Sequence, residues 1–267
     1  MKPLLSLLHR LTAPIPFPVA EPLALLLLLI PLTGLVRGLR GFLSRLAKTA
    51  LTLLLALAVL WGPAMAVPAD ALPAPGADRL AWLCGNLIHC LNDTCGPFPA
   101  DALEAAPAAA GLPDCRVKAA RCPAWLSLLH AWGAFIPLTG EAIIDPAEPA
   151  PLAPFTAVHE LMHLSGVADE GAANVAAWAQ CMRAGGPFAD SARLWALRYA
   201  MGRLREADPA AWAEMRKKME GTLLRTFLEC GAEAEPPRHR FFLTPGDYAA
   251  LAGFLTEGRG EGLGFRD

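Results

Sequence analysis

The residues with the clearest chemical meaning are His159, Glu160 and His163, which form the pattern His-Glu-x-x-His. Pro154 favours the start of a helix just before this pattern, and Gly166 favours its end just after it. In a helix, residues four apart share a face, so both histidines can bind one tetrahedral zinc ion. Glu160 then lies beside the metal, where it can take a proton from a zinc-activated water and pass it to a leaving amine. The pattern therefore predicts hydrolysis of peptide bonds.

A catalytic zinc ion needs a third protein ligand and keeps one position for water. Asp169 completes the pattern HExxHxxGxxD, which resembles the snapalysin variant of the metzincin peptidases. Glu170 opens a Glu-x-x-Ala-Asn element that resembles the Glu-x-x-Ala-Asp element of CAAX prenyl endopeptidase-type membrane gluzincins, where the glutamate binds zinc. The chain must turn at Gly166 for either acid to reach the metal, because seven residues of straight helix rise about 10 Å. We expect Glu170 as the ligand and keep Asp169 as the alternative. The other interpretation of both acids is that they stabilise the start of the next helix, as an N-cap or as a negative charge in its first turn.

Four further residues are candidates for supporting roles at this site. Tyr199 or Arg198 can hydrogen-bond the oxyanion that develops during hydrolysis, and core packing is the other interpretation of Tyr199. Asn174, one turn after the candidate ligand, can hydrogen-bond a ligand from behind. Glu141 is expected to orient a histidine or line the cleft, with a solvated charge at a strand end as the alternative. His130 and His239 lack partners at metal spacing, and His89 stands beside a cysteine expected in a disulfide, so these three are expected to be non-catalytic.

Two long apolar stretches lie in the first quarter of the chain. They contribute to a mean hydropathy of +0.37, with 54% hydrophobic and only 18% charged residues, which is high for a soluble protein. The sequence predicts a mainly α-helical protein with a membrane anchor over 1–66, containing transmembrane helices at about 20–36 and 47–66. A zincin-like, mostly helical domain is expected over 67–267, with a short extended segment before the HExxH helix. Ala64-Met65-Ala66 also fits a signal-peptidase site, and cleavage there would release the domain.

The distribution of charge predicts how the chain is oriented. Residues 1–66 contain six Lys or Arg and one Glu, whereas the rest contains 17 basic and 24 acidic residues. Four of the basic residues lie between the apolar stretches, which predicts a cytoplasmic loop over 37–48 and an extracytoplasmic domain at the cell membrane. Lys2 and Arg10 on the N-terminal tail oppose this orientation but are fewer. An acidic domain without a basic stripe excludes nucleic acid and leaves the lipid bilayer and a peptide or protein substrate as partners.

All seven cysteines follow the second apolar stretch. None of their spacings is Cys-x-x-Cys, so neither a zinc ribbon nor a thioredoxin-like motif is expected. Their position just outside the predicted membrane segment favours disulfides in an oxidising compartment. Because seven is odd, one thiol should stay free, and Cys181 fits best since it lies in an apolar helical pattern.

Five segments of the sequence are similar to those of one known family. They are 16–21, Trp61-Gly62, 136–142, 159–181 and Arg198-Tyr199. The family they resemble is the group of membrane proteins catalogued as domain-of-unknown-function family 3810. The resemblance implies two N-terminal transmembrane helices and a zincin-like domain without an established substrate. The family commonly has a glutamate where this chain has Ala172, which strengthens Glu170 as the third ligand.

The expectation is a membrane-anchored zinc metalloendopeptidase, with Zn²⁺ held by His159, His163 and Glu170 and with Glu160 as the base. The alternative from another class is a non-catalytic, zinc-stabilised membrane scaffold or binding module. The intact Glu160 argues against that alternative, because a structural zinc site needs no base and usually fills its fourth position with Cys or His.

Overall fold

The computed structural model describes residues 2–65, 75–98, 101–129, 131–231 and 245–256. The described part of the chain is mainly helical, as the sequence predicts. The helices are α1 (Lys2–Thr12), α2 (Ala20–Leu32), α3 (Gly38–Met65), α4 (Ala77–Thr94), α5 (Ala102–Ala109), α6 (Ala124–Leu129), α7 (Ala153–Ser165), α8 (Glu170–Ala184), α9 (Gly186–Ala207), α10 (Pro209–Lys217), α11 (Gly221–Glu229) and α12 (Pro245–Thr256). The strands are β1 (Val117–Ala119), β2 (Gly133–Ile136) and β3 (Glu141–Ile144).

The N-terminal apolar region folds back on itself. A 3-10 turn over Thr33–Arg37 follows α2, and Gly38 then adopts a φ of +76°, which glycine tolerates without strain. Gly34 and Gly41 approach so closely that a Cβ on either one would clash with the backbone of the other. α3 then packs against α2. By length and composition, Ala20–Leu60 is one candidate membrane-crossing stretch within the described residues, and its division into two spans remains a prediction.

A three-stranded sheet lies between α7 and the start of the apolar hairpin. β3 is central, with β1 parallel to it on one side and β2 antiparallel on the other. Ala134 and Ile136 of β2 pack in the same small apolar cluster as Ala20 of α2. Phe135, between them, stacks on His163 of α7. Successive side chains of β2 thus contact α2 on one face of the sheet and α7 on the other, because side chains alternate along a strand. The extended segment predicted before the HExxH helix is therefore a pair of strands.

The main core lies around α7. Its apolar side chains pack against α8 and α9, while α4 runs along α9 and α12 covers α8. The largest fully buried side chains in this core are Trp178 of α8 and Phe227 of α11. This packing holds α7 and α8 side by side, which is the arrangement that the candidate ligands require.

The N-terminal helix α1 docks onto the domain, although the sequence places it in a membrane anchor over 1–66. His9 Nδ1 donates a hydrogen bond to the Gly140 carbonyl at 2.8 Å, and the Arg116 N–H donates to His9 Nε2 at 3.0 Å. Lys118 Nζ donates to the Thr12 carbonyl at 2.8 Å. These contacts join residues more than a hundred positions apart, so residues 2–12 are part of the folded domain.

The start of α2 is fixed by acidic side chains. Glu141 Oε1 accepts a hydrogen bond from Lys118 Nζ at 2.6 Å, and the two carboxylate oxygens of Glu141 accept the N–H groups of Val19 and Ala20, each at 2.8 Å. A carboxylate at a helix N-terminus is favourable because the first N–H groups have no partner within the helix. Glu21 in turn accepts the indole N–H of Trp125 in α6. We call the contacts of His9, Thr12, Lys118 and Glu141 the N-terminal clasp.

The cysteines differ from the expectation of disulfides. All seven lie within the described residues, and each is a free thiol there. Cys84 and Cys181 are fully buried in the main core, where a thiol packs as a small apolar group. Burial raises the pKa of Cys84 to about 12. The expected free thiol at Cys181 is present, but the expected pairing of the others is not.

Candidate metal centre

The ends of α7 and α8 bring the candidate ligands together. α7 ends at Gly166, whose φ of +103° reverses the chain, and the Val167 N–H donates back to the Met162 carbonyl at 3.2 Å. α8 begins with Asp169 as its cap, since the carboxylate of Asp169 accepts the Ala172 N–H at 2.7 Å. The turn between the two helices therefore places the first residue of α8 beside the last turns of α7.

Three side chains converge at this junction. His159 Nε2 lies 3.0 Å from Glu170 Oε2, His163 Nε2 lies 3.3 Å from the same oxygen, and the two histidine nitrogens are 3.1 Å apart. Zinc bonds of about 2.0–2.1 Å to nitrogen and oxygen make the edge of a tetrahedron about 3.3 Å long. The three observed separations are close to that edge. Among the described residues, these three form the group of His, Cys, Asp and Glu side chains able to hold a metal ion together.

The hydrogen bonds of His163 fix how its ring presents its nitrogens. Its Nδ1 lies 2.7 Å from the Val167 carbonyl, which can only accept, so Nδ1 carries a hydrogen. In the neutral ring Nε2 then offers a lone pair toward His159 and Glu170, as a metal ligand must. Phe135 stacks on the His163 ring with centroids 6.5 Å apart, which restricts its rotation.

The electrostatics of the cluster favour bound positive charge. Burial lowers the pKa of His163, but its hydrogen bond to Glu170 and the charges of Glu170 and Glu160 raise it more, to about 9. Burial raises the pKa of Glu170, yet the hydrogen bonds and charges of His159 and His163 outweigh it and lower the pKa well below its usual range. The raised pKa of His163 and the lowered pKa of Glu170 have the same cause, a carboxylate close to two imidazoles in a partly buried site. A cation that replaces the shared protons is stabilised by the same arrangement.

Glu160 lies beside the cluster and is buried. Burial raises its pKa, the charges of His159 and His163 act in the opposite direction, and the net shift is upward. Its carboxylate packs against β2, where a Cβ on Gly133 would lie only 2.7 Å from Glu160 Oε1. The glycine thus leaves the space that the carboxylate occupies. A carboxylate with a raised pKa in a closed site is suited to exchanging protons near neutral pH.

The comparisons with known proteins give one family. Residues 106–230 match the family model described as "Protein of unknown function (DUF3810)". This match supports the DUF3810 family for that region of the chain. No curated protein and no solved structure gives a significant match. The matched DUF3810 region contains all three converging side chains and Glu160, whereas the resemblance expected at 16–21 and Trp61-Gly62 lies outside it.

The structure separates the other acidic candidates of the DUF3810 region from the cluster. Asp169 caps α8 and is not among the converging side chains. Glu141 is fully buried in the N-terminal clasp, so it neither orients the site histidines nor forms a solvated strand end. Lys118 and two backbone N–H groups use its carboxylate instead. Asn174 is buried one turn after Glu170 on α8, and its support of a ligand remains a prediction.

Tyr199 and Arg198 lie on α9 in different surroundings. Tyr199 lines a small apolar pocket with Phe155 and Trp195, and the Phe155 ring is 6.4 Å from the His159 ring between centroids. The Arg198 guanidinium lies 5.8 Å above the Trp195 ring. Tyr199 thus shares a pocket with Phe155, the ring that neighbours His159. Its role toward an oxyanion remains a prediction. His130 and His239 lie outside the described residues, and His89 is on the exposed side of α4.

Three residues near the site were missed by sequence reasoning. Gly133 and Phe135 belong to β2 and contact the α7 side chains only through tertiary packing. Glu148 is buried and accepts a hydrogen bond from Thr156 of α7 at 2.5 Å. Burial raises the pKa of Glu148 well above its usual value, and the nearby charge of Glu160 raises it further. The alternation of strand residues before the motif could have indicated Phe135, but nothing in the sequence marks Glu148.

Proposed function

We propose that this chain is a membrane-anchored zinc metallopeptidase that hydrolyses peptide bonds outside the cytoplasm. The observation that carries the proposal is the convergence of His159, His163 and Glu170 at separations of 3.0, 3.1 and 3.3 Å. These donors fit zinc by their chemistry, two imidazole nitrogens and one carboxylate oxygen. Three protein ligands leave one of four positions open, as in catalytic zinc sites and unlike closed structural ones.

The residues around the site support peptide hydrolysis. A bound zinc ion supplies a Lewis acid that activates water and polarises the scissile carbonyl. Glu160, adjacent to the ligands and with a raised pKa, accepts a proton from the attacking water and delivers it to the departing amine. Tyr199 donates a hydrogen bond to the developing oxyanion in this proposal, with Arg198 as the other candidate donor. Asn174 supports the ligands from behind on α8.

The scaffold alternative is less well supported. A zinc-stabilised binding module needs no base, yet Glu160 is buried beside the histidines, where an unused carboxylate is costly to keep. β2 also leaves space for it at Gly133. A carboxylate kept at such a position is more readily explained by proton transfer.

The N-terminal clasp supports a membrane hairpin with two spans. Residues before the hairpin, such as His9, bond to residues after it, such as Gly140. Both must then lie on the same side of a bilayer, which requires an even number of crossings. α2 and the following 3-10 turn have a combined rise of about 30 Å, and α3 rises about 42 Å, so each leg is long enough. The basic residues Arg37, Arg40, Arg45 and Lys48 lie at the turn, which favours a cytoplasmic turn and an extracytoplasmic domain.

The decisive experiment is zinc analysis combined with a peptide-library assay on the purified full chain, prepared without chelator in phospholipid nanodiscs. We expect about one zinc ion per chain and cleavage of the library. Glu160→Gln should keep the zinc and lose hydrolysis by a factor of about 10²–10⁴. Glu104→Gln, an exposed replacement on α5, is the matched control and should keep both.

Each other result has a defined meaning. A folded chain without zinc, or undiminished cleavage by Glu160→Gln, contradicts the proposal. If the wild type and Glu160→Gln both bind zinc but neither cleaves the library, the result favours the non-catalytic scaffold.

A further inference from the structure

Helix α1 buries one face against the domain and leaves an apolar face exposed. Leu5, His9 and Thr12 face the domain and are buried. Leu4, Leu7 and Leu11 follow the spacing of one helix face and are 43%, 53% and 65% exposed. We call these three residues the α1 leucine stripe. Three large exposed leucines in a row on an eleven-residue helix need a partner outside the domain.

The clasp prevents the stripe from turning inward. Both ring nitrogens of His9 are hydrogen-bonded, to the Gly140 carbonyl and the Arg116 N–H. Rotating α1 to bury the stripe would break these bonds and expose Leu5. The outward orientation of the stripe is therefore fixed by its polar neighbours.

The stripe lies close to the candidate membrane hairpin. Only residues 13–19 separate α1 from α2, and the N–H groups of Val19 and Ala20 are bound to Glu141 in the same clasp. α6 also lies near the start of α2, because Trp125 donates a hydrogen bond to Glu21 there. At the end of α6, Leu128 is 79% exposed. Two helices near the start of α2, α1 and α6, thus carry exposed leucines.

We propose that α1 lies in the boundary between headgroups and acyl chains of the bilayer, with Leu4, Leu7 and Leu11 in contact with lipid. An amphipathic helix with a narrow apolar stripe and a basic residue, here Arg10, on its polar side suits that boundary. The bilayer is favoured over a second copy of the chain because α2, which follows α1 after residues 13–19, also exposes large leucines such as Leu25 and Leu28. The inference rests on the proposed membrane hairpin and is independent of the peptidase activity.

Photocrosslinking of the full chain in phosphatidylcholine nanodiscs tests this contact. Benzoylphenylalanine replaces one residue at a time at Leu7, Leu11, Ser6 and Leu28, and adducts are identified by mass spectrometry. Ser6 is exposed on α1 but points away from the stripe, so it is the matched control. Leu28 reports whether the hairpin itself is in the bilayer. We expect lipid adducts at Leu7, Leu11 and Leu28, several-fold above the yield at Ser6.

The other outcomes overturn the inference in distinguishable ways. Lipid adducts at Leu28 without any at Leu7 and Leu11 would leave the hairpin intact and refute the interfacial helix. Adducts between two chains at Leu7 or Leu11 would assign the stripe to a dimer interface. Absence of lipid adducts at all four positions would refute the hairpin as well, while zinc binding and cleavage would still report separately on the metal centre.

Discussion

His159 Nε2 and Glu170 Oε2 lie 3.0 Å apart although a helix end, a turn and a helix start separate them in the chain. Glu170→Gln should therefore lower zinc affinity more than about 100-fold, because even the outer partners of metal ligands contribute 10- to 100-fold. Asp169→Asn should keep the zinc, since asparagine caps a helix about as well as aspartate. Zinc titration of both variants measures the difference. Loss of zinc in Asp169→Asn with retention in Glu170→Gln would reverse the ligand assignment.

Gly133→Ala should reduce hydrolysis while leaving the zinc content unchanged. The new Cβ would lie 2.7 Å from Glu160 Oε1 and 2.8 Å from Thr156 Cγ2, so the Glu160 carboxylate must move. A displacement of about 1 Å at a reacting group lowers the rate by about 100-fold. Gly85→Ala on α4 is the control, because its Cβ meets only the Met215 sulfur at 3.9 Å. Wild-type kcat/KM in Gly133→Ala would show that the position of Glu160 is not limiting.

Lys118→Met should destabilise the domain by about 3–5 kcal/mol, because it leaves the buried Glu141 carboxylate without its cation. Thermal unfolding measures the loss, and limited proteolysis within 13–19 detects release of α1. The double variant Lys118→Met, Glu141→Gln should recover part of the stability, since no unpaired charge stays buried. Lys217→Met breaks an exposed ion pair with Glu214 and should change little. Equal effects of the two lysine variants would contradict the buried role of Lys118.

Acid should loosen the docking of α1 through His9. Burial and the charge of Lys118 lower the pKa of His9, although the Gly140 carbonyl and Glu141 act in the opposite direction. The unfolded histidine binds its proton near pH 6.5, whereas the folded one binds it only at lower pH. Stability is therefore complete above pH 6.5 and falls by up to about 1.4 kcal/mol per unit as the pH decreases below it.

Hydrogen exchange of the α1 amides between pH 7.5 and 5 measures this effect. Exchange rates corrected for intrinsic pH dependence should rise with acid in the wild type. His9→Gln should flatten the profile, and His89→Gln, a replacement on the exposed side of α4, should leave it unchanged. A profile of α1 that does not depend on His9 would refute the titration.

The local geometry of the candidate metal centre follows from the sequence because helices are periodic. The spacing of His159 and His163 puts both rings on one face of α7, and Gly166 marks the turn that Glu170 needs. The mainly helical fold and the extended segment before the motif were also predicted correctly. These features depend on residues close together in the chain.

The features that sequence reasoning missed depend on distant contacts. Gly133 matters because Glu160 packs on it, and a glycine alone does not reveal its neighbour. Glu141 was predicted as a site residue, but it pairs with Lys118, 23 positions earlier in the chain. Cysteine spacing likewise does not distinguish a core thiol such as Cys84 from half of a disulfide. Tertiary packing determines each of these outcomes.

The clasp also constrains the order in which the protein can mature. His9 leaves the ribosome 131 residues before Gly140, its hydrogen-bond partner, and N-terminal segments are available to fold first. During that interval neither Leu5 nor the leucine stripe has a protein surface to cover it, and long-range contacts of this kind form slowly. A bilayer that holds α1 at its extracytoplasmic surface, as proposed above, would protect it from aggregation until the strands arrive. The last step of folding would then be the closing of the domain onto a helix that already rests on the membrane.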